Sequence, residues 1–186
     1  TQHPNPKHPV IFYGSSSFRL WDATIRTDLQ SHSIVNLAFG GSTLTSCRYY
    51  FDRIMASYPE PRSMVIYAGD NDLGQGRSAN AIKTSVVRIL DKIEDRFGAL
   101  PVFFLSIKPS PSKQSIFDII VDCNEFIESE AGRRPNLHYI DIFHPMLTGS
   151  KRSNPAYFTE DMLHMNDEGY RIWTTVMLQH KEAIGL

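Results

Sequence analysis

Short runs of apolar residues recur along the chain, separated by longer segments with a different pattern. Within each run the residues are almost all apolar, without the alternation of a half-exposed strand, as is typical of strands buried on both faces. The runs cover residues 10–13, 34–37, 64–67, 102–107 and 137–142. The pattern therefore predicts five short, buried β-strands.

Between these runs, apolar residues recur every three or four positions, as they do on one face of an α-helix. The segments with this spacing are 47–58, 82–97, 116–127 and 172–177. Asn166 is a predicted N-cap of the last helix, because Asp167 and Glu168 follow it and acidic residues favour a first helical turn. Strand and helix patterns alternate, which predicts an α/β fold with a mostly parallel five-stranded sheet between two helical layers.

The composition indicates one domain and a small, roughly neutral substrate. A chain of 186 residues can bury a substantial core, and no linker, repeat or low-complexity tract divides this one. The 19 lysines and arginines nearly balance the 20 aspartates and glutamates, so no charged surface points to nucleic acid or an anionic membrane. We expect a single domain over residues 1–186, with 1–9 as a flexible N-terminal segment.

The sequence predicts no membrane span and leaves the compartment and the oligomeric state open. No apolar run approaches the roughly 20 residues that a transmembrane helix needs, and residues 1–9 lack the apolar core of a secretory signal. Two locations are therefore expected, the cytoplasm, or outside it after removal of a signal segment, an option that the first residue, Thr1, leaves open. Cys47 and Cys123 fall on apolar helix stripes, where buried thiols are expected rather than a redox motif.

Four dispersed segments contain the residue types that serine-based acyl transfer requires. They are Gly14-Ser15-Ser16-Ser17, Phe39-Gly40-Gly41-Ser42, Gly69-Asp70-Asn71-Asp72 and Asp161-Met162-Leu163-His164. The first three follow predicted strands, and open α/β sheets bind ligands beyond the carboxyl ends of their strands. The fourth precedes the last helix. We therefore expect all four segments to meet at one edge of the sheet.

Each segment supplies a different part of the reaction. Ser16 is the candidate nucleophile, and a serine hydroxyl needs a base to remove its proton. His164 is the candidate base, and Asp161, three residues upstream, is the candidate carboxylate that orients its ring. The oxyanion formed on an ester carbonyl needs preorganised donors. The candidates are the backbone amides of Ser16 and Gly41 and the side-chain amide of Asn71.

This set of segments resembles the SGNH hydrolases, also called GDSL-type esterases and lipases. Ser16 matches the family's nucleophile, Gly41 and Asn71 match its oxyanion residues, and Asp161 with His164 matches its Asp-x-x-His. The resemblance spans residues 12–173. It implies a flavodoxin-like, three-layer α/β/α sandwich, a Ser-His-Asp mechanism, and neither a metal nor an organic cofactor.

Ser15 stands where the family usually has an aspartate, a departure that bears on the support of the loop and on the rate rather than on the reaction class. The surrounding sequence resembles a compact esterase without a lid, so we expect an open site and a short acyl group such as acetyl. Phe18, Phe39 and Met162 are candidate substrate contacts near the motifs. Lys108 is another candidate contact, although a solvated loop lysine is the simpler interpretation.

Each motif also has a purely structural interpretation. The serines at 15–17 fit a helix cap, and Gly41 and Asn71 fit turn residues. His144 competes with His164 as the base, but it lacks an upstream carboxylate matched to the family motif.

Two ligand-binding motifs are only partly matched. The segment 70–74 resembles the start of a calcium loop, but Ala81 stands where the bidentate glutamate belongs. The segment 74–79 fits a glycine-rich dinucleotide pattern, but it is offset from the end of the strand.

Two classes of function follow. The first is a serine esterase that hydrolyses short-chain carboxylic esters, with a thioesterase or an acyltransferase as variants that use the same residues. The second is a non-catalytic ligand-binding module on the same fold.

Overall fold

A computed structural model describes residues 6–186 and contains one five-stranded sheet between two layers of helices. The strands are β1 (Val10–Gly14), β2 (Ile34–Asn36), β3 (Ser63–Tyr67), β4 (Val102–Leu105) and β5 (Leu137–Ile140). Their order is β2-β1-β3-β4-β5, every neighbouring pair is parallel, and this is the flavodoxin-like order. The predicted fold class is confirmed, while residues 1–5 of the predicted N-terminal segment lie outside the described residues.

Helices occupy the connections between the strands and the C-terminal end of the chain. They are α1 (Ser16–Trp21), α2 (Ile25–Asp28), α3 (Leu44–Met55), α4 (Asp70–Gly74), α5 (Ala79–Phe97), α6 (Phe117–Ala131), α7 (Asp167–Gln179) and α8 (Lys181–Ile184). Three short 3₁₀ segments cover Pro111–Ile116, His144–Met146 and Pro155–Tyr157. The four longest helices are those that the apolar spacing predicts. The short ones escape prediction because one turn contains too few residues to show a period.

Strands β1, β3 and β4 bury both faces, as their apolar runs predict, whereas His138 on the edge strand β5 is exposed. Alternate residues reach opposite helical layers. On β1, Ile11 packs in the cluster that contains α3, α5 and α6, whereas Phe12 packs in the cluster that contains α1, α7 and α8. Met64 and Val65 on β3 divide in the same way. The sheet therefore separates two apolar cores of the sandwich.

The fourth and fifth strands each end two residues earlier than the apolar runs predict. Ile107 leaves the ladder because its backbone N–H and carbonyl bond to the side-chain amide of Asn124, at 2.7 and 3.0 Å. Ile142 likewise leaves the ladder, because its backbone N–H donates to the hydroxyl of Ser106, at 2.9 Å. Side chains thus replace the neighbouring strand as hydrogen-bond partners, which an apolar pattern does not reveal.

Local capping and burial agree with the sequence predictions. The side chain of Asn166 accepts a hydrogen bond from the backbone of Gly169, at 3.1 Å, and so caps α7. Cys47 and Cys123 are unpaired, buried thiols. Burial raises the pKa of Cys47 to about 12 and that of Cys123 to about 11, so both remain protonated at neutral pH. Within residues 6–186, no helix is long and apolar enough to cross a bilayer.

Gly14, the last residue of β1, packs directly against the backbone of β3. Its φ is +142°, and a Cβ atom at this position would overlap the carbonyl oxygen of Tyr67. That oxygen also accepts a hydrogen bond from the Ser15 N–H, at 3.0 Å. Only glycine combines this φ with so close an approach, so Gly14 sets the position at which the chain leaves the sheet.

We predict that Gly14→Ala lowers the free energy of unfolding by about 2–4 kcal/mol, because the methyl group meets backbone that has no room to move. Urea unfolding followed by circular dichroism measures the change. Gly149→Ala is the matched control, since a Cβ there meets no atom within 4 Å and its φ is not positive. Equal stability of the two variants would contradict the close packing at Gly14.

Candidate active site

Three loops meet at the carboxyl edge of the sheet, and Ser42 connects them. Ser16 begins α1 just beyond β1, Gly41 lies in the loop after β2, and Asn71 lies in α4 just beyond β3. The hydroxyl of Ser42 donates to the carbonyl of Gly14, at 2.7 Å. The carbonyl of Ser42 accepts from the side-chain amide of Asn71, at 2.9 Å. The predicted convergence of these segments is therefore present in the structure.

The buried side chain of Asp72 provides a second link between these loops. The side chain of Asp72 is fully buried, and it accepts hydrogen bonds from the backbone of Leu44, at 2.9 Å, and from Arg77, at 3.3 Å. Burial raises the pKa of Asp72, although these bonds oppose the shift. Leu44 is the first residue of α3, so the carboxylate fixes the start of that helix against α4.

Ser16, His164 and Asp161 form one chain of hydrogen bonds. The hydroxyl of Ser16 lies 3.1 Å from Nε2 of His164, a residue 148 positions away in the sequence. Nδ1 of His164 lies 2.6 Å from Oδ2 of Asp161. An ionised carboxylate only accepts hydrogen bonds, so Nδ1 carries the proton and Nε2 presents its lone pair to the serine. The structure thus brings together all three residues that the sequence analysis selects as catalytic.

Asp161 is held in its ionised form by a ring of donors. Its Oδ1 accepts from the backbone of Leu163, at 2.8 Å, and of His164, at 2.9 Å, and also from the hydroxyl of Thr159, at 2.8 Å. Partial burial raises the pKa of Asp161, but the hydrogen bonds from His164, Leu163 and Thr159 outweigh it and lower the pKa well below its usual range. The group is therefore an anion throughout the neutral range.

The loop that carries His164 forms a short hairpin held by its own backbone hydrogen bonds. Thr159 donates from its backbone to the carbonyl of His164, at 2.8 Å, and Phe158 pairs with Met165 in an isolated antiparallel bridge. Met162 at the tip has a φ of +56°. A short hairpin of this kind turns both Asp161 and His164 toward the sheet edge.

The backbone amides of Ser16 and Gly41 are free to donate to a ligand. Within residues 6–186, neither backbone N–H donates a hydrogen bond to another group of the protein. Gly41 is exposed, with a φ of +71°, and its surroundings are open. Asn71 uses one of its two side-chain N–H groups on Ser42, which leaves the other available. These are the donor positions that the sequence analysis predicts for an oxyanion.

The structure separates the four candidate substrate contacts into two pairs. Met162 is exposed and Phe39 is half-buried, so both are accessible near the site. Phe18 is fully buried in the core, where its ring packs edge-on against those of Phe12 and Trp173. The interpretation of Lys108 as a solvated loop lysine is wrong, because its side chain is only 1% exposed. Neither Phe18 nor Lys108 is positioned to touch a substrate directly.

A buried charge cluster accounts for the position of Lys108, and the sequence analysis missed it. The ammonium groups of Lys108 and Lys113 both pair with the carboxylate of Asp70. Lys108 also donates to the hydroxyl of Tyr67, at 3.2 Å. Burial raises the pKa of Asp70, but the two lysines outweigh it and the pKa is lowered, whereas burial lowers the pKa of Lys108. Asp70 directly precedes Asn71, so the cluster anchors the segment that carries the amide.

His144 does have a carboxylate partner, contrary to the sequence analysis. Asp141 lies three residues upstream, with its Oδ2 2.7 Å from Nδ1 of His144, and its Oδ1 accepts the backbone N–H of His144, at 3.1 Å. The pair therefore has the same local geometry as Asp161 and His164. The literal spacing Asp-x-x-His was visible in the sequence. What distinguishes the two pairs is that His164 alone is hydrogen-bonded to Ser16.

The structural interpretations of the other motifs receive mixed support. Ser15 is the N-cap residue of α1, but its side chain makes no capping hydrogen bond. Ser78, in the segment that fits the dinucleotide pattern, caps α5 by accepting from Ala81, at 3.3 Å. Across residues 6–186, no group of three or more potential metal-ligating His, Cys, Asp or Glu side chains is found.

A cleft of about 460 Å³ opens beside the candidate oxyanion donors. Its lining includes Gly41, Asn71, Lys113 and Leu163, together with several polar side chains of neighbouring loops. Gly41 and Asn71 thus line a space large enough for a small organic group.

Comparison with known proteins identifies a family. The sequence matches the model of the GDSL-like Lipase/Acylhydrolase family over residues 5–172. Among proteins with curated functions, none matches the chain.

Solved structures with the same fold include several lipases and acylhydrolases. A GDSL-like lipase from Bacteroides thetaiotaomicron is 22% identical, with a TM-score of 0.80, over 98% of this chain and 92% of that one. A member of the lipolytic protein G-D-S-L family from Veillonella parvula is 17% identical, with a TM-score of 0.76, over 92% and 97% of the two chains. A lipase/acylhydrolase from Enterococcus faecalis is 15% identical, with a TM-score of 0.76, over 95% and 96%.

We predict that Asp70→Asn lowers the free energy of unfolding by about 3–5 kcal/mol, because two buried ammonium groups lose their carboxylate. Thermal and urea unfolding measure the loss. Since the pKa of Asp70 is lowered in the folded state, its contribution is complete above about pH 4 and declines as the pH falls further. The difference between wild type and variant should therefore shrink in acid.

Asp52→Asn is the matched control, because Asp52 also pairs with a lysine, Lys92, but on the surface. Exposed ion pairs of this kind contribute less than about 1 kcal/mol. If Asp70→Asn lowers the free energy of unfolding no more than Asp52→Asn does, the buried cluster does not depend on its carboxylate.

Proposed function

The chain belongs to the GDSL-like lipase/acylhydrolase family and is a hydrolase of ester bonds, and on this premise we propose that it is a serine esterase for short-chain carboxylic esters. The observation that carries the proposal is the hydrogen-bonded chain from Ser16 through His164 to Asp161, with distances of 3.1 and 2.6 Å. Membership in a hydrolase family also removes the reason to consider a non-catalytic binding module.

In the proposed acylation step, Nε2 of His164 removes the hydroxyl proton of Ser16 as Oγ attacks the carbonyl carbon of the ester. The carbonyl electron pair moves to oxygen, and the resulting imidazolium is stabilised by Asp161, whose lowered pKa keeps it anionic. When the tetrahedral intermediate collapses, the imidazolium gives its proton to the departing alcohol oxygen. The acyl group then remains on Ser16.

Deacylation repeats the sequence with water as the nucleophile. His164 removes a proton from water, the hydroxide attacks the acyl carbonyl, and the proton passes to Oγ as the carboxylic acid leaves. In both steps the oxyanion is proposed to accept hydrogen bonds from the amides of Ser16 and Gly41 and from the side chain of Asn71. The free backbone donors and the position of Asn71 support this role, since preorganised donors need no rearrangement when charge develops.

The cleft beside the oxyanion donors supports a short acyl group. Its lining combines Gln75, Ser112, Lys113 and Ser115 with only a few apolar side chains. A long alkyl chain gains its binding energy from apolar walls, because each methylene must leave water for an apolar contact. The aliphatic side chains of the cleft are those of Leu73, Ile116 and Leu163, a patch that suits a short alkyl group, so methylenes beyond its reach bring little gain.

We predict that Ser16→Ala and His164→Ala each reduce kcat for para-nitrophenyl acetate by roughly 10⁴-fold or more, because each removes a group that acts in every turnover. His144→Ala is the matched control. His144 has the same carboxylate geometry as His164 but is not bonded to Ser16, so its loss should leave kcat close to the wild-type value.

All variants are first compared by thermal unfolding, so that a loss of fold is not mistaken for a loss of chemistry. If His144→Ala abolishes turnover while His164→Ala retains it, the assignment of the base is wrong. Hydrolysis that persists in folded Ser16→Ala would require a different nucleophile.

We predict that kcat/KM falls by about tenfold, or ~1.4 kcal/mol of transition-state stabilisation, between para-nitrophenyl butanoate and the dodecanoate. The reason is that the cleft has aliphatic side chains for a short alkyl group, and a long chain extends beyond them. A series of esters from acetate to dodecanoate, assayed below the micelle-forming concentration of each, provides the measurement. A maximum at long chains would contradict the proposed short-chain substrate.

A further inference from the structure

The cluster beneath the cleft contains more positive than negative groups. Lys108 and Lys113 share the carboxylate of Asp70, and the three side chains are 1%, 9% and 6% exposed. The next carboxylate that influences Lys108 is Asp161, which is already bonded to His164. Among residues 6–186 the cluster therefore has two ammonium groups and one carboxylate of its own.

Lys113 places one of these ammonium groups at the cleft. It lies in the 3₁₀ segment Pro111–Ile116 and lines the cleft together with Gly41 and Asn71. Gly74 lies on the same wall, and a Cβ built there would lie 3.7 Å from Nζ of Lys113. Because Gly74 has no side chain, none covers the ammonium of Lys113 at this point of the cleft wall.

The ammonium of Lys113 also has an unused donor. Nζ donates to the backbone carbonyl of Asp70, at 2.7 Å, and to the Asp70 carboxylate. An ammonium group has three N–H donors, and within residues 6–186 the third has no protein acceptor. Burying an ammonium group with an unpaired N–H costs free energy unless an acceptor, ideally an anion, binds that N–H.

The remaining walls suit the same kind of group. Gln75, Ser112 and Ser115 line the cleft and are able to donate hydrogen bonds. No aspartate or glutamate belongs to the described lining, and the carboxylate of Asp70, which contacts Lys113, is already paired with two ammonium groups. One cation, several neutral donors and no acidic side chain are complementary to an oxyanion, and the aliphatic side chains of Leu73, Ile116 and Leu163 can pack against a short carbon linker.

We propose that the cleft binds an anionic oxygen group, such as a carboxylate, that the ester substrate itself carries, and that Lys113 determines this preference. The inference rests on the proposed esterase function and names its substrate class. Gly41 and Asn71 line the same cleft, so the anionic group lies within a few bonds of the scissile carbonyl. It belongs either to the acyl part or to the alcohol part of the ester.

Two pairs of substrates, each matched in size, test the proposal. For the acyl side, the para-nitrophenyl monoester of succinic acid is compared with para-nitrophenyl butanoate. For the alcohol side, acetoxyacetate is compared with acetoxyacetamide, its neutral amide of nearly the same size, by pH-stat. The wild type should have the higher kcat/KM for the anionic member of at least one pair, and the pair that shows the preference identifies the side that carries the anion.

Lys113→Met is the test variant, because it leaves Asp70 and Lys108 as a balanced pair. The preference for the anionic ester should fall by about tenfold, as expected for one charge-assisted hydrogen bond, mainly through KM. The readout is the ratio of kcat/KM between the anionic and the neutral ester, so an equal loss for both esters, as from a shift of Asn71, does not count as a change of preference. Lys113→Arg retains the charge and should recover part of the preference, which a purely structural role of the lysine would not predict.

Lys92→Met is the matched control, since it removes the same charge from a surface ion pair outside the cleft. Equal effects of Lys92→Met and Lys113→Met would attribute any preference to the overall field of the protein and overturn the proposal. Should Lys113→Met fail to fold, inhibition of the wild type by succinate is compared with inhibition by succinamide. Weaker inhibition by succinate would equally overturn it.

Ser16→Ala is run with every substrate and separates this inference from the proposed function. If the wild type hydrolyses the neutral esters and Ser16→Ala does not, but no anionic preference appears, only the substrate class is wrong. If Ser16→Ala is as active as the wild type, the serine mechanism itself is wrong.

Discussion

Two hydrogen bonds of Ser42 hold the loops of the candidate site in one arrangement. Its hydroxyl reaches the carbonyl of Gly14, and its carbonyl receives the amide of Asn71. The segments that carry the candidate nucleophile and the candidate oxyanion donors Gly41 and Asn71 are thereby tied through a single residue. Catalysis by preorganised donors requires such rigidity, because donors that must move when charge develops lose most of their advantage. The parallel sheet brings these loops to one edge, and Ser42 sets their distances.

Next to Asn71, the protein buries charged side chains at positions where a core usually contains apolar groups. Asp70 holds two lysines next to Asn71, and Asp72 holds the start of α3 next to the same residue. Buried ion pairs rarely add net stability, but they define geometry, because removing one partner is far more costly than keeping both. The cluster thus fixes the segment that carries Asn71 and also brings a cation to the wall of the cleft.

The chain contains two Asp-x-x-His pairs with nearly the same internal geometry, and this shows where local sequence stops being informative. In each pair the carboxylate accepts the ring Nδ1 and the backbone N–H of a histidine three residues later. Four residues suffice to build this unit. Only the position of the hairpin before α7 brings His164, and not His144, to Ser16.

The sequence by itself determined the five strands, the four long helices and the α/β class, because burial on two faces or on one leaves a period in the chain. It also determined the residue types of the site, and the match to the hydrolase family confirms the family resemblance. The family resemblance selected the pair Asp161 and His164, and the tertiary structure places this pair, rather than Asp141 and His144, at the serine. The tertiary structure alone decided that Phe18 and Lys108 are buried. It also decided that β4 and β5 end where the side chains of Asn124 and Ser106 take over their hydrogen bonds. These features depend on contacts between residues far apart in the chain, and such contacts leave no periodic pattern from which they could be predicted.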